Sequence, residues 1–416
     1  MAALECFGRG QLVYTAPVYV NPLLGRLGLV FSLLLTGCSQ PAEPTDVTLL
    51  RVPAGGIQPR VVQGDGVLHL LYYAGENTSG NLFYTTSRDN AATFGEPVRV
   101  NSQAGSALSG GTIRGGEIAL GADGRIHVAW NGSGVAQPKG PLNPEQPADS
   151  PYNGTPLLYS HSDGQGGFTE QRNLMQYTFA LDGGGTVAAD GEGNVYAAWH
   201  ASAPGSAPAE AGRQLYLARS TDDGETFGEE TAISDAALGA CGCCSAHLFA
   251  GDGGKVAAWY RTARAIENRD GFLLASTDYG ETFKNSMLQR WQISSCPMSS
   301  ASFSQGPAGL LVSWETDGQV WFAPIDVESG AMTAEPIPAP GEKSARKHPS
   351  LAQNGKGEIL LVWTEVGGWG KGGTVHWQIY DKSGEALELR GSAEGVPAWS
   401  FAAARALPDR RFAVMY

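Results

Sequence analysis

A short strand pattern recurs seven times along this chain and constrains its fold more than any other feature. Each copy follows a turn rich in glycine and aspartate, alternates apolar residues and ends on an aromatic. The copies are Val67 to Tyr72, Arg125 to Trp130, Asn194 to Trp199, Lys255 to Trp259, Leu310 to Trp314, Ile359 to Trp363 and Phe412 to Tyr416. Their final aromatics lie 49 to 69 residues apart. Another short strand precedes each, such as Gly185 to Ala189, joined by a hairpin turn such as Asp190-Gly191-Glu192-Gly193. Such a period holds four short strands, and one unit cannot bury its apolar face without neighbours. Full repeats begin near Gln58, Thr112, Gly183, Cys244, Met298 and Lys347, and a last hairpin runs from Trp399 to Tyr416. The expectation is an all-β propeller of four-stranded antiparallel blades, seven by repeat count. Asp46 to Arg51 can pair with the last hairpin and close the ring. The 57 glycines fit a chain with this many tight turns.

A second signature falls between these hairpins. Ser220-Thr221-Asp222-Asp223-Gly224-Glu225-Thr226-Phe227 and Ser276-Thr277-Asp278-Tyr279-Gly280-Glu281-Thr282-Phe283 are nearly identical. Ser87 to Phe94, with Asp89, is a third copy with Ala91 in the glycine slot, and Ser160 to Phe168 is a degraded fourth. As a turn, the aspartate caps backbone N–H groups, the glycine takes φ > 0 and the aromatic plugs the gap toward the next blade. These segments resemble the Asp-box, or BNR repeat, of the sialidase superfamily of β-propellers, over about residues 46–416. The resemblance implies a structural role for Asp89, Asp222 and Asp278 on outer hairpins, and it implies six blades. The repeat count requires seven.

Arg26 precedes an apolar run from Leu27 to Leu35, too short to span a bilayer and suited to a signal-peptide core. Leu35-Thr36-Gly37-Cys38 resembles the bacterial lipobox, which implies a signal peptide over 1–37 and lipidation of Cys38. Residues 1–25 are long for the region before such a core, which suggests a true start further in. Residues 38–45 are then the lipidated cysteine and a polar tether, and 46–416 a single propeller domain. Ser39, rather than aspartate, implies the outer membrane by the usual sorting pattern of Gram-negative lipoproteins. A bacterial envelope location with a lipid anchor is expected. The net charge of −13 argues against nucleic acid and against adhesion to anionic lipid by charge alone. A hydrophobic content of 42% suffices for a real core.

In a propeller the innermost strand starts at one rim and the second strand returns to it. Residues opening each first strand and residues ending each second strand should therefore converge at one mouth. The first group holds Arg60, Arg114, Glu117, Asp182, the cysteines, Met298, His348 and Trp399. The second holds Tyr73, Asn131, His200, Tyr260, Arg261, Glu315 and Glu365. Insertions at Asn131 to Pro156 and Ala201 to Arg213 favour the same rim. Trp369 sits in a glycine-rich loop where it could stack on a sugar ring. The sialidase resemblance implies arginines for a substrate carboxylate, a tyrosine nucleophile activated by a glutamate, and an acid. Arg60, Arg114 and Arg261 are candidates for the first role, Tyr260 with Glu315 for the second and Asp182 for the third. The remaining rim residues, Glu117, Glu365, His348 and Trp399, are candidate substrate contacts. The Arg-Ile-Pro found near the sialidase start is absent, and Gln58-Pro59-Arg60 stands in its place.

The cysteines point elsewhere. Cys241, Cys243, Cys244 and Cys296 open two neighbouring inner strands by the repeat phase, so all four can gather at the mouth. In an oxidising compartment disulfides are expected, with the pairing open. The alternatives are a copper or zinc site that includes Met298 with His247 or His348, or a redox-active arrangement. No cofactor is otherwise indicated. Three functions follow: an exo-glycosidase acting on a glycan at the mouth, a glycan- or protein-binding propeller without turnover, and a metal or redox protein. The expected partners are a glycan or glycoconjugate and, through the lipid, a membrane; a monomer is expected.

Overall fold

A computed structural model describes residues 46–416 except 112, 266 and 367–369. The expected lipidation site at Cys38, the expected signal segment and Trp369 lie outside the described residues. Seven sheets stand side by side, each led by a strand that borders a central cavity. The leading strands are Ile57–Gly64, Gly116–Leu120, Thr186–Ala189, His247–Gly251, Ala301–Gly306, Arg346–Gln353 and Ala403–Ala406. Each packs beside the next, and the last returns to the first. The chain is a seven-bladed β-propeller, as the repeat count requires, and not the six-bladed ring implied by resemblance.

Within six blades the first four strands run antiparallel in chain order. In the fifth blade the outermost strand is interrupted, so that Ala331–Met332 and Ile337–Pro338 pair with different parts of Gln319–Asp326. The seventh blade has three strands: Ala403–Ala406, Phe412–Met415 and, in parallel with the latter, Val47–Leu50 from the start of the domain. That register joins Val47 to Phe412 and Leu50 to Met415, so the two ends of the domain close the ring.

The repeated aromatics fill the gaps between blades. Trp130, Trp199, Trp259 and Trp314 have no exposed surface, and Tyr72, Trp363 and Tyr416 are buried. A buried aromatic of this size removes roughly 150–250 Å² from water, which at about 25 cal/mol/Å² is roughly 4–6 kcal/mol before entropy. Strand alternation decides which gap each side chain fills. Trp259 packs with Trp314 toward the fifth blade, whereas the next residue, Tyr260, packs with Ala240 and Leu217 toward the third.

The Asp-box turns join third and fourth strands at the rim opposite the long insertions. Asp222 accepts bonds from Ser220 Oγ, Thr226 N and Thr226 Oγ1, and Ser220 Oγ accepts from Gly224 N. Asp89 and Asp278 repeat this pattern, with Ala91 taking φ 65° where Gly224 takes 82°. Their aromatics plug toward the preceding blade, not the next: Phe227 meets Tyr159 of the second blade edge-on, 4.9 Å between ring centres. The right-handed twist of the strands leans the outer hairpin back over its predecessor.

Candidate functional site: a polar mouth with a loop-walled pocket

The rim at which inner strands begin is built from irregular backbone. Gln58, Met298, His348 and Trp399 all take φ between 48° and 62°, uncommon for residues with a Cβ. Pro59 and Pro349 follow two of them, and the ladder shifts register there, between Ile57 and Arg60 and between Lys347 and Ser350. Proline lacks the N–H the ladder needs, so the strand bulges and re-aims the neighbouring side chain. Left-handed residues of this kind cost on the order of 1–3 kcal/mol each and cluster at functional sites.

The mouth divides into three parts. The first is the central cavity, about 410 Å³. In it Arg60 donates to Glu117 at 2.8 Å and lies over the Phe401 ring. Burial pushes the Glu117 carboxyl up while Arg60 draws it down, leaving it above the ordinary range. His247 lines this cavity and His348 lies near it; burial holds both well below the usual histidine value, with Arg60 adding to the effect at His247 and Lys347, then Arg60, at His348. His348 Nδ1 meets Ser300 Oγ at 3.1 Å. Arg405, which the sequence reading missed, also lines this cavity.

The second part is a pocket of about 570 Å³ under the loop 131–156. Arg114, Asp182, Arg213 and Asn131 form its floor, with Trp399 and Tyr152 on its walls. Arg114 donates to the Asp182 carboxylate and, at 2.6 Å, to its carbonyl, while a further N–H reaches Gly110 O at 2.7 Å. Asn131 donates to Gly183 O at 2.8 Å and accepts from Gly185 N at 3.1 Å, which pins the Asp182 backbone. Arg213 donates to Ala180 O and faces His200 Nδ1 at 3.5 Å. Asp182 stays 46% exposed between the two guanidiniums, and Tyr152 is 66% exposed, so both are open to a ligand. Arg213 ends an insertion that was legible as a rim loop, but nothing in its spacing marked it as a pocket residue.

The third part is the cysteine cluster. Cys243 is disulfide-bonded to Cys296, and Cys241 and Cys244 are free and buried, their sulfurs 3.1 Å apart. Met298 packs against them. With Cys243 and Cys296 joined, two thiols and a thioether remain, one donor short of the four that a structural zinc takes. Neither His247 nor His348 joins the group among the described residues: His348 Nδ1 meets Ser300, and His247 lines the central cavity.

Several expected partnerships do not form. Tyr260 and Glu315 point to opposite faces of their blades: Tyr260 is buried toward the third, and Glu315 bonds Lys347 Nζ of the sixth at 2.9 Å. Burial drives the Tyr260 hydroxyl pKa far up, opposite to what a nucleophile requires. Arg261 is 1% exposed and donates to Ser299 Oγ, Arg269 O and Glu315 O, so it cannot reach a ligand. Arg60, Arg114 and Arg261 therefore occupy three separate environments and make no triad. Glu365 bonds Arg346 and Trp363 beside a different surface cleft.

Fold and site together define a seven-bladed propeller whose loop-bearing rim carries a polar pocket. No protein-family model matches the chain, and no curated protein is similar to it. Among solved structures it is similar to the Hadza microbial sialidase Hz136, at 12% identity and TM-score 0.47, over 82% of this chain and 66% of that one. It is also similar to a PL25 ulvan lyase, at 12% identity and TM-score 0.49, over 87% of each chain. A third is the Penicillium chrysogenum alpha-L-arabinanase, at 14% identity and TM-score 0.49, over 83% of this chain and 100% of that one. The strand order establishes the propeller independently, and these likenesses assign no residue a role.

Proposed function

We propose that the protein is an envelope-anchored propeller that binds an acidic glycan in the pocket under the 131–156 loop. One observation carries this reading: Arg114 and Arg213 flank the half-exposed Asp182 between the aromatic walls of Trp399 and Tyr152. The Arg114 fork is taken up by Asp182 and Gly110, so Arg213 is the guanidinium offered to a sugar carboxylate, with Arg114 adding positive charge, and an aromatic face suits the apolar side of a pyranose ring. The loop above adds the amide side chains of Asn143 and Gln146, which match hydroxyls.

Binding without turnover is favoured over exo-glycosidic hydrolysis. Hydrolysis commonly uses two carboxyl groups flanking the scissile bond, or a tyrosine nucleophile as in sialidases. Among the described lining residues of this pocket Asp182 is the single carboxylate, and Tyr260 is not a lining residue. Anchoring rests on the apolar run before Cys38; incorporation of labelled fatty acid, abolished by Cys38→Ser, is its test.

A glycan array decides the main reading. Uronate- or sialate-terminated glycans should bind, and Tyr152→Ala and Arg114→Lys should each weaken binding at least fivefold. Arg114→Lys keeps the charge but loses the fork that positions Asp182. Equal binding to neutral and acidic glycans would refute the assignment, and release of a fluorogenic sialoside would restore the hydrolytic reading.

A further inference from the structure

The cysteine cluster has a composition that glycan binding does not use: two thiols and a disulfide within reach of one another. Cys241 Sγ lies 3.1 Å from Cys244 Sγ and 3.6 Å from Cys243 Sγ. Cys241 and Cys244 are 1% and 2% exposed, whereas Cys296, the far end of the disulfide, is exposed. The cluster thus has an inner dithiol, an outer disulfide and a path between them through Cys243.

The surroundings are cationic. Arg261 makes its hydrogen bonds to a hydroxyl and two carbonyls and has no carboxylate among them. Arg269 is 5% exposed, and although it pairs with Glu210, its Nε and Nη1 atoms are buried without a hydrogen-bond partner. Buried guanidinium atoms left without partners are costly unless a negative charge stands near. A Cys244 thiolate supplies that charge. Burial alone would raise this thiol, but the S–H of Cys241, the Arg261 guanidinium and Ser299 outweigh it and bring it down to about 6. Cys241, which gives that hydrogen bond, is held high. Two residues separate Cys241 from Cys244, the Cys-X-X-Cys spacing of reactive dithiols.

We propose that these four cysteines form a thiol–disulfide relay, in which the buried Cys241/Cys244 dithiol exchanges with the Cys243–Cys296 disulfide and, through exposed Cys296, reduces an external protein or small-molecule disulfide. Cys241 passes its proton to the Cys244 thiolate and attacks Cys243; the Cys241–Cys243 bond forms, and Cys296 leaves as a thiolate. Cys244 then yields its proton to the Cys296 thiolate through solvent and attacks Cys241; the Cys241–Cys244 bond forms, and Cys243 leaves as a thiolate. One disulfide has broken and one has formed, two electrons have moved outward, and one thiol and one thiolate stand at the end as at the start. Cys296, deprotonated again by solvent, then attacks the external disulfide and expels one of its sulfurs. Cys243 attacks the resulting mixed disulfide, which restores Cys243–Cys296 and releases the second. The inner Cys241–Cys244 disulfide is returned to the dithiol by an external dithiol acting along the same path in reverse.

The test equilibrates the full-length chain in dithiothreitol buffers of graded poise, quenches with acid, alkylates free thiols and maps linkages by peptide mass spectrometry. Two two-electron transitions are expected, with the Cys241–Cys244 and Cys243–Cys296 linkages both present when one disulfide per chain remains. Cys244→Ser should let the Cys241–Cys243 linkage accumulate, and Cys296→Ser should slow reduction of a small disulfide dye at least tenfold. Should either variant fail to fold, the wild-type linkage map alone decides. The relay is refuted if Cys241 and Cys244 stay free thiols in fully oxidising buffer, or if stoichiometric copper or zinc protects all four cysteines from alkylation.

Discussion

Lowering the pH below 6.5 should destabilise this propeller, and His200 shows why. Its Nε2 meets Cys244 O at 3.0 Å and its Nδ1 faces Arg213 at 3.5 Å, so a second proton would sit against a guanidinium. Burial, and then Arg213, hold the imidazole down to about 4, with Asp182 drawing it up. The unfolded chain takes up that proton near pH 6.5, so the contribution is whole above 6.5 and erodes as pH falls toward 4. At pH 5.0 the loss is about 2 kcal/mol, at about 1.4 kcal/mol per pH unit. His247 and His348 act in the same direction. Glu117 and Glu315, raised by burial, act in the opposite one and offset part of it. Urea unfolding followed by tryptophan fluorescence at pH 7.5 and 5.0 measures the difference. His200→Gln retains a donor for Cys244 O and should show a loss smaller than the wild type's by about 2 kcal/mol. Equal pH dependence in the two proteins would refute the reasoning.

Asp222→Ala removes the acceptor of three turn hydrogen bonds and should cost on the order of 1–2 kcal/mol in urea unfolding. Those bonds hold Asp222 down to about 2, so its contribution is present above the ordinary value of 3.8 and fades as pH falls toward 2; the variant's acid slope there should be shallower. A Cβ on Gly183 would lie 2.0 Å from Cys244 O and 2.2 Å from His200 Nε2, so Gly183→Ala should lower the melting temperature by several degrees or abolish soluble expression. An unchanged melting temperature would show that this rim backbone yields. Tyr260→Phe, buried away from the pocket, should leave acidic-glycan binding within twofold of the wild type on the array.

Tyr260 and Glu315 show where reading the chain alone falls short. Both end second strands and both reach the mouth, as the repeat phase requires. Which face each side chain takes depends on parity counted from a packed neighbour, and no neighbour is visible in one strand. Arg261 shows the same: it lies at the right rim, yet the blade gap that receives Trp259 receives it too, and there it bonds backbone carbonyls. Arg213 cannot be placed from the chain alone because an insertion has no period to locate its last residue.

Local chemistry by itself determined the blades. Alternating apolar residues, turn glycines and Asp-box hydrogen bonds act over a few residues, so their record survives in the linear order, and counting them gave seven. Closure of the ring decided the rest. Arg114, Asp182, Arg213 and Trp399 share a pocket, and Cys243 meets Cys296 across 53 residues. Contacts of that reach are set by blade curvature and by the tilt of each sheet on its neighbour, quantities that no single repeat encodes.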